Sequence, residues 1–185
     1  MSLDVSVERA LDPFLPLPAF SAQAARTEAE RCLYCFDAPC AQACPTGIDV
    51  PSFIRKIATG NLEGAGRTIL AANPLGGTCA AACPVERLCE GVCIRAQLDA
   101  PIAIGRLQRH AIDALAASGE PFFTPGPAAA ASVAVIGAGP AGLACAAELR
   151  RVGAAVTVYD ANPRAGGLGD HGIVPWRLPR DIVAR

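Results

Sequence analysis

Eight of the nine cysteines in this chain of 185 residues lie in two short groups, and this clustering constrains the chain more than any other feature. The groups consist of Cys32, Cys35, Cys40 and Cys44, and of Cys79, Cys83, Cys89 and Cys93. A chain of this length can bury a core of ordinary size, so it does not need disulfides for stability. Cysteines grouped in this way therefore indicate metal or redox chemistry.

The start of the chain and its charge indicate the compartment and the kind of partner. Residues 1–11 contain neither a basic segment nor a long apolar run, so we do not expect a secretory signal. No window reaches the roughly 18 apolar residues that a membrane span needs. The net charge of −1 gives no electrostatic reason to expect a nucleic-acid partner. We therefore expect a cytoplasmic protein, in which thiols stay reduced.

The spacing of the cysteines favours iron–sulfur clusters. Two cysteines separated by two residues, such as Cys32 and Cys35, can direct both thiolates into one cluster, and later turns supply further ligands. Bacterial ferredoxins use a similar dense run that ends in Cys-Pro, and its last cysteine binds the other cluster. Cys-Pro steps occur here at Cys44 and Cys83. The pattern therefore predicts two [4Fe–4S] clusters with crossed ligation.

Other uses of these cysteines remain open from the spacing alone. Cys32 and Cys35 have the separation of a structural zinc pair, and Cys40 and Cys44 could complete such a site in a non-enzymatic zinc-binding module. Disulfides conflict with the expected reducing compartment. Inert buried thiols do not explain such tight grouping.

A glycine-rich turn follows in the second half of the chain. Strands are predicted at 132–136 and 154–159, with a helix at 140–151 between them, which is a β-α-β unit. The turn between the first strand and the helix matches the dinucleotide-binding fingerprint. The residues predicted to bind the nucleotide here are Gly137, Ala138, Gly139, Pro140, Ala141 and Gly142. Asp160 ends the second strand and is expected to bind ribose hydroxyls.

Each glycine of this turn has a separate role in the fingerprint. Gly137 permits the tight turn, Gly139 lets the backbone approach a pyrophosphate, and Gly142 allows the helix to pack closely on the strand. FAD and NAD(P) share the fingerprint, so it does not distinguish between them. The later Gly166, Gly167 and Leu168 favour FAD, because a Gly-Gly turn after the acid resembles flavoprotein disulfide reductases.

The first half of the chain predicts short helices with polar caps. Ser21, Asp49 and Asn61 are the expected N-caps, and a longer helix is expected at about 102–117. Frequent proline and glycine then indicate a linker. The predicted units are an N-terminal extension at 1–20, a helical two-cluster domain at 21–117, a linker at 118–131 and a partial FAD-binding domain at 132–185.

The combination of these motifs resembles two families, the bacterial glutamate synthase small subunit and the dihydropyrimidine dehydrogenases. The segments 73–76, 78–79, 83–89 and 101–108 favour the second family. The resemblance covers about residues 21–185 and implies an α-helical ferredoxin-like domain followed by the start of an α/β Rossmann-type FAD-binding domain. The family usually has Glu at the position of Asp160.

The same resemblance implies which residues hold the two clusters. One [4Fe–4S] cluster is assigned to Cys32, Cys35, Cys40 and Cys93, and the other to Cys44, Cys83, Cys89 and Gln108. A solvated helix residue is the alternative interpretation of Gln108. Cys79 then has no cluster role, and Cys145 is expected to contribute to packing.

The function implied by the resemblance is electron transfer. In a complete protein NAD(P)H reduces FAD, and electrons pass through both clusters to a catalytic partner subunit of a hetero-oligomer. No catalytic acid or base is identified in this chain, and the nicotinamide domain of relatives is expected beyond it. A glutamate synthase small subunit remains the alternative enzyme. A truncated product with only the helical domain folded is a further alternative.

Overall fold

The structure, a computed structural model, describes residues 18–184. The predicted extension at 1–20 therefore lies almost entirely outside the described residues. The helices of the first half are α1 Ala22–Glu30, α2 Pro39–Gln42, α3 Val50–Ala58, α4 Leu62–Ala72, α5 Gly76–Ala82 and α6 Ile104–Ala117. Two short 3₁₀ helices, Val85–Arg87 and Ile94–Gln97, lie between α5 and α6.

The second half contains a parallel β-α-β unit. Its elements are β1 Ser132–Ile136, α7 Pro140–Arg151, β2 Ala155–Tyr159, α8 Leu168–His171 and α9 Arg180–Val183. The two strands pair in parallel, with Ser132 opposite Ala155 and Ile136 opposite Tyr159. This confirms the predicted β-α-β order, with β2 one residue shorter at its start than expected.

The predicted helix caps are confirmed. The side chain of Ser21 accepts from the N–H of Ala24, and the Asp49 and Asn61 side chains accept from the third residue after each. A side-chain oxygen in this position satisfies an N–H that the helix itself leaves without an acceptor. These three residues therefore fix where α1, α3 and α4 begin.

The start of α6 differs from the prediction, because it begins at Ile104 and not near 102. The N–H of Ala103 donates to Oε1 of Glu28 on α1 at 2.8 Å. A backbone group held by another helix in this way keeps Ala103 outside the α-helical conformation. The sequence gives no signal for this contact, because the two residues are 75 positions apart.

The helical half has one apolar core around α6. Its fully buried large side chains are Phe53, Ile54, Ile69, Ile102, Ile104, Leu107 and Leu115. Several half-buried cysteines pack against this core, namely Cys32, Cys40, Cys44, Cys89 and Cys93. The core therefore supports the segments that carry both cysteine groups.

The predicted linker is irregular but packed. Residues 118–131, all of which the structure describes, form neither helix nor strand. Phe122 and Phe123 pack against the helical core, and the N–H of Gly126 donates to the carbonyl of Arg150 at 3.0 Å. Arg151 donates to carbonyl oxygens at the end of α4 and stacks on Phe123. The two halves are therefore in direct contact.

No helix within residues 18–184 has both the length and the apolar character required to cross a membrane.

Candidate functional site: two cysteine groups and a glycine-rich turn

The structure brings Cys93 together with three cysteines of the 32–40 segment around one cavity. They are the four that the resemblance assigns to a single cluster: Cys32, Cys35, Cys40 and Cys93. The remaining wall is mainly apolar and includes Leu33, Ile54 and Ile102. An apolar cavity lined by four thiols fits a group that thiolates ligate.

Burial raises the pKa of two of these thiols, Cys32 and Cys40. It raises the pKa of Cys32, and it raises that of Cys40 to about 11, with the neighbouring cysteines of the group adding to both shifts. Thiolates ligate metals and thiols do not, so a cation must compensate the charge here. The donor set and its surroundings therefore fit a metal cluster better than four free thiols.

The loop that carries Cys32 and Cys35 is shaped by the backbone and by a hydrogen bond. Tyr34 adopts a left-handed conformation with a φ of 50°, which turns the chain between the two cysteines. The Tyr34 hydroxyl donates to the carbonyl of Ala29 at 3.2 Å and so holds the loop against α1.

An ion-pair network joins this loop to the segment after Cys93. Arg31 donates to both carboxylate oxygens of Glu28 at 2.7 Å and to Oδ1 of Asp99 at 3.2 Å. It also donates to the carbonyl of Ala100 at 2.7 Å. Glu28 is nearly buried, so this network fixes α1 and the 93–103 segment relative to each other.

The cysteines that the resemblance assigns to the other cluster lie near one another and near Cys40. Hydrogen bonding to Cys79, burial and the nearby Cys89 and Cys44 raise the pKa of Cys83. Burial, followed by Glu90, raises the pKa of Cys89 to about 12, and Cys44 and Cys40 contribute. Cys44, Cys83 and Cys89 are therefore electrostatic neighbours, as the ligand assignment requires.

Gln108 is buried, so the interpretation as a solvated residue is wrong. Its Nε2 donates to the carbonyl of Gly76 at 2.7 Å, which directs the amide oxygen away from that carbonyl. One turn earlier, the N–H of Gly105 donates to Oε1 of the buried Glu90, the residue after Cys89. Gln108 therefore lies on the face of α6 that packs on α5 and on the segment carrying Cys89.

The two remaining cysteines differ in how they compare with the expectations. Cys79 accepts a hydrogen bond from Nδ2 of Asn73 at 3.2 Å, a contact that the sequence did not indicate. Cys145, expected to be a packing residue, is exposed on α7. All nine cysteines fall within residues 18–184 and are free thiols.

Among residues 18–184, no three His, Cys, Asp or Glu side chains converge in a way that could hold one metal ion.

The glycine-rich turn has the geometry that its sequence predicts. Gly137 has a φ of 103°, which favours glycine, and a Cβ at Gly142 would collide with the carbonyl oxygen of Gly137. A Cβ added at Gly139 would have space around it. Apart from its chain neighbours, its nearest contact among the described residues is the Cα of Gly167, at 3.9 Å. Open space therefore remains above Gly139, at the N-terminus of α7, where a phosphate could approach.

Asp160 lies directly beneath this turn. Its Oδ2 accepts from the N–H of Ala138 at 2.7 Å, and its Oδ1 accepts from the N–H of Asn162 at 2.7 Å. These backbone hydrogen bonds lower the pKa of Asp160 below its ordinary value. The carboxylate therefore stays ionised at the end of β2, where the fingerprint expects an acid.

The Gly-Gly segment also reaches the turn. The N–H of Gly166 donates to the carbonyl of Ala138 at 2.8 Å, and a Cβ at Gly167 would lie 2.7 Å from the Cα of Gly139. Leu168 is exposed at the start of α8. The structure thus brings 137–142, Asp160 and 166–168 into one place.

Asp170 holds this segment in position and was missed by the sequence analysis. It is 4% exposed and lies within ion-pair distance of Arg164, Arg180 and His171. No motif marks it, because its partners follow no regular spacing.

Comparisons with known proteins agree with a cysteine-rich helical half followed by a half that carries a nucleotide-binding turn. Residues 17–120 match the family model described as dihydropyrimidine dehydrogenase domain II, 4Fe-4S cluster, and residues 135–175 match that of an NAD(P)-binding Rossmann-like domain. The NAD-dependent dihydropyrimidine dehydrogenase subunit PreT of Escherichia coli (strain K12) is 46% identical over 166 residues, which are 90% of this chain and 40% of that protein. PreT of Salmonella typhimurium is 45% identical over the same shares.

A second kind of relative shares the same region. The putative oxidoreductase AegA of Escherichia coli (strain K12) is 39% identical over 168 residues, which are 90% of this chain and 26% of that protein. The chain therefore spans well under half the length of the curated relatives it matches.

Proposed function

Because the chain belongs to the family of dihydropyrimidine dehydrogenase domain II with its 4Fe-4S cluster, we propose that it is the electron-transfer part of a flavin-containing oxidoreductase subunit. Its helical half is the ferredoxin-like domain, and its β-α-β half is the start of an FAD-binding domain. The observation that carries this proposal is the meeting of Cys32, Cys35, Cys40 and Cys93 around one apolar cavity.

In the first site, these four cysteines hold one [4Fe–4S] cluster. The cluster supplies one-electron transfer when bound, and the chain supplies orientation and surroundings. The apolar walls limit access of water, and the Glu28–Arg31 network holds Cys32 and Cys93 at a fixed separation.

In the second site, Cys44, Cys83, Cys89 and Gln108 hold the other cluster. The hydrogen bond from Nε2 of Gln108 to Gly76 supports this role, because it fixes which end of the amide is available as a donor atom to the metal. A neutral oxygen in place of a thiolate makes this cluster less negative than the first, which changes its potential.

The glycine-rich turn binds the pyrophosphate of FAD, with Asp160 at the ribose. The open space at Gly139 and the N-terminus of α7 support this placement. In the whole protein, NAD(P)H is the electron source and a catalytic partner subunit is the acceptor. The protein is therefore one part of a hetero-oligomer, and we place it in the cytoplasm. By similarity to the PreT subunits, that acceptor reduces a pyrimidine.

The first experiment is metal analysis of the chain purified and reconstituted without oxygen. We expect about eight irons and eight sulfides per chain, since two cubane clusters contain that number. Stoichiometric zinc, with no absorbance in the visible region, contradicts the proposal and supports a zinc-binding module.

The flavin site has a separate test in a pair of glycine variants. Gly142→Ala is expected to abolish FAD binding, measured by flavin fluorescence in titrations, because its Cβ collides with the carbonyl of Gly137. Gly169→Ala is the matched control, because its Cβ makes ordinary contacts at 3.9 Å. Equal FAD affinity in both variants would contradict the placement.

A further inference from the structure

The Gly-Gly segment beside the glycine-rich turn consists of residues that are costly to order. Gly166 and Gly167 have φ values of 121° and 53°, which side chains other than that of glycine rarely allow. Glycine loses more conformational freedom on folding than any other residue. The segment nevertheless packs closely on the turn, since a Cβ added to Gly167 would lie 2.7 Å from the Cα of Gly139. Contacts from outside the segment are therefore needed to hold it there.

Asp170, on α8, supplies such contacts through a nearly buried carboxylate. The Nε of Arg164 donates to its Oδ2 at 2.9 Å, and the Nε of Arg180 lies 3.6 Å from its Oδ1. The Nδ1 of His171 lies 3.3 Å from Oδ2. The N–H of Asp170 donates to the carbonyl of Gly167 at 3.1 Å. Asp170 therefore joins Arg164, which precedes the Gly-Gly segment, to residues that follow it.

Arg180 also connects this carboxylate to the helical half of the chain. It begins α9, and the residues around it pack on α5, because Leu178 and Ile182 are buried with Ala81 in one apolar cluster. The ion pair between Asp170 and Arg180 therefore links the Gly-Gly segment to an element that the helical half holds in place.

We propose that Asp170 is a positioning residue for the flavin site, whose ion pairs hold Gly166 and Gly167 against the glycine-rich turn in the arrangement that accepts the pyrophosphate of FAD. This inference rests on the proposed function, because it takes the turn as an FAD site. Asp170 acts through the Gly-Gly segment and needs no contact with the cofactor.

The charge of Asp170 distinguishes this role from a simple electrostatic one. The hydrogen bond from Arg164 and the nearby cations lower the pKa of Asp170 below its ordinary value, so the carboxylate is ionised at neutral pH. Like charges repel, so the carboxylate by itself disfavours a pyrophosphate nearby. Any gain in FAD affinity that Asp170 provides must therefore come from the geometry that it imposes.

The test compares Asp170→Asn with the parent chain, reconstituted without oxygen, in FAD titrations followed by flavin fluorescence. Asn keeps the shape of Asp but removes the charge that holds Arg164 and Arg180. We expect the FAD affinity to fall by about tenfold, because a buried ion pair that loses one charge leaves its partners uncompensated. The iron content should stay that of the parent chain, since both cysteine groups lie in the helical half.

Two further variants complete the comparison. Glu148→Gln is the matched control, because it removes one negative charge from an exposed ion pair with Arg151 on α7, and it should leave the FAD affinity unchanged. Arg180→Gln should lower the affinity when introduced alone. It should cause little further loss together with Asp170→Asn, because the pair is then already broken.

Three results would overturn the proposal. An FAD affinity that rises in Asp170→Asn would show that the residue acts by its charge, and an unchanged affinity would show that the Gly-Gly segment needs no such support. Loss of iron together with FAD would make Asp170 a residue of general stability. A parent chain that forms both clusters but binds no FAD would instead overturn the proposed flavin site, and the inference with it.

Discussion

Among the proposed ligands, Gln108 supplies a neutral amide where the others supply thiolates, and its side chain is buried. The sequence predicted its place on a long helix, but not its burial, because α6 presents its apolar stripe at Ile104, Leu107, Ala111 and Leu115. Contacts from Gly76 and from the segment near Glu90 close over the adjoining face. The burial of Gln108 therefore comes from packing between elements.

The first prediction concerns this residue. Gln108→Ala removes the proposed oxygen donor and the hydrogen bond to Gly76, so we expect iron content or potential to change at one cluster while the other keeps its EPR signal. The hydrogen bond adds a loss of about 1 kcal/mol in stability. Iron analysis and EPR of the reconstituted chain measure the first effect, and urea denaturation measures the second.

Gln23 provides a control for this substitution. It is exposed on α1, where its Nε2 donates to the hydroxyl of Thr27 at 3.4 Å. Gln23→Ala should therefore leave both clusters unchanged. If Gln108→Ala gives the spectra of Gln23→Ala, Gln108 is not a ligand.

Residue identities alone predicted the structural role of some residues and not of others. Ser21, Asp49, Asn61 and the turn glycines were predictable, because caps and tight turns depend on neighbours a few positions away. Cys145 and Asn73 were not, since the exposure of the first and the contact of the second with Cys79 depend on how elements pack.

At the scale of elements, the contact between the end of α1 and the start of α6 depends on one carboxylate, that of Glu28. Glu28 accepts from Arg31 and from the N–H of Ala103, so it joins the end of α1 to the start of α6. Cys32 follows α1, and the segment containing Cys93 precedes α6. The separation of these two cysteines therefore depends on a pair of helices that the sequence predicted, apart from the start of α6, but could not place together.

The second prediction tests this link. Glu28→Ala leaves Arg31 and the Ala103 N–H without this acceptor, and we expect a loss of about 2 kcal/mol in the free energy of unfolding, with weaker binding of the first cluster. Urea denaturation and iron retention measure the two effects.

The control is another glutamate of the same helix. Glu30 forms an exposed pair with Arg26, so Glu30→Ala should cost no more than about 0.5 kcal/mol. Similar losses in both variants would show that the contact to Ala103 does not hold the helices together.

For the whole molecule, the two cysteine groups give the metal-free chain a distinctive response to pH. Burial raises the pKa of Cys40 to about 11 and that of Cys89 to about 12. An unfolded cysteine has a pKa near 8.5, so the folded chain binds these protons more tightly than the unfolded chain. This contribution to stability is complete below about pH 8.5 and is lost as the pH rises towards the folded values.

The third prediction follows from this sign. The metal-free chain is expected to lose stability between about pH 8.5 and 11, as measured by urea denaturation at several pH values. Cys40→Ser and Cys89→Ser should each weaken the dependence, because they remove a titrating thiol. A stability that is flat over this range in the parent chain would contradict the buried environment of the two thiols.

The interleaving of the two groups has a consequence for how the chain acquires iron. Cys40 lies on α2, and Cys44 follows four residues later, just after that helix. Cys89 and Cys93 are also four residues apart. In each pair, the two proposed ligands belong to different clusters. A cluster in one site therefore also holds the segments that carry two of the four proposed ligands of the other. On this assignment we expect the chain to fill its sites cooperatively, so that under iron limitation a population divides into fully loaded and empty molecules, with few half-loaded ones.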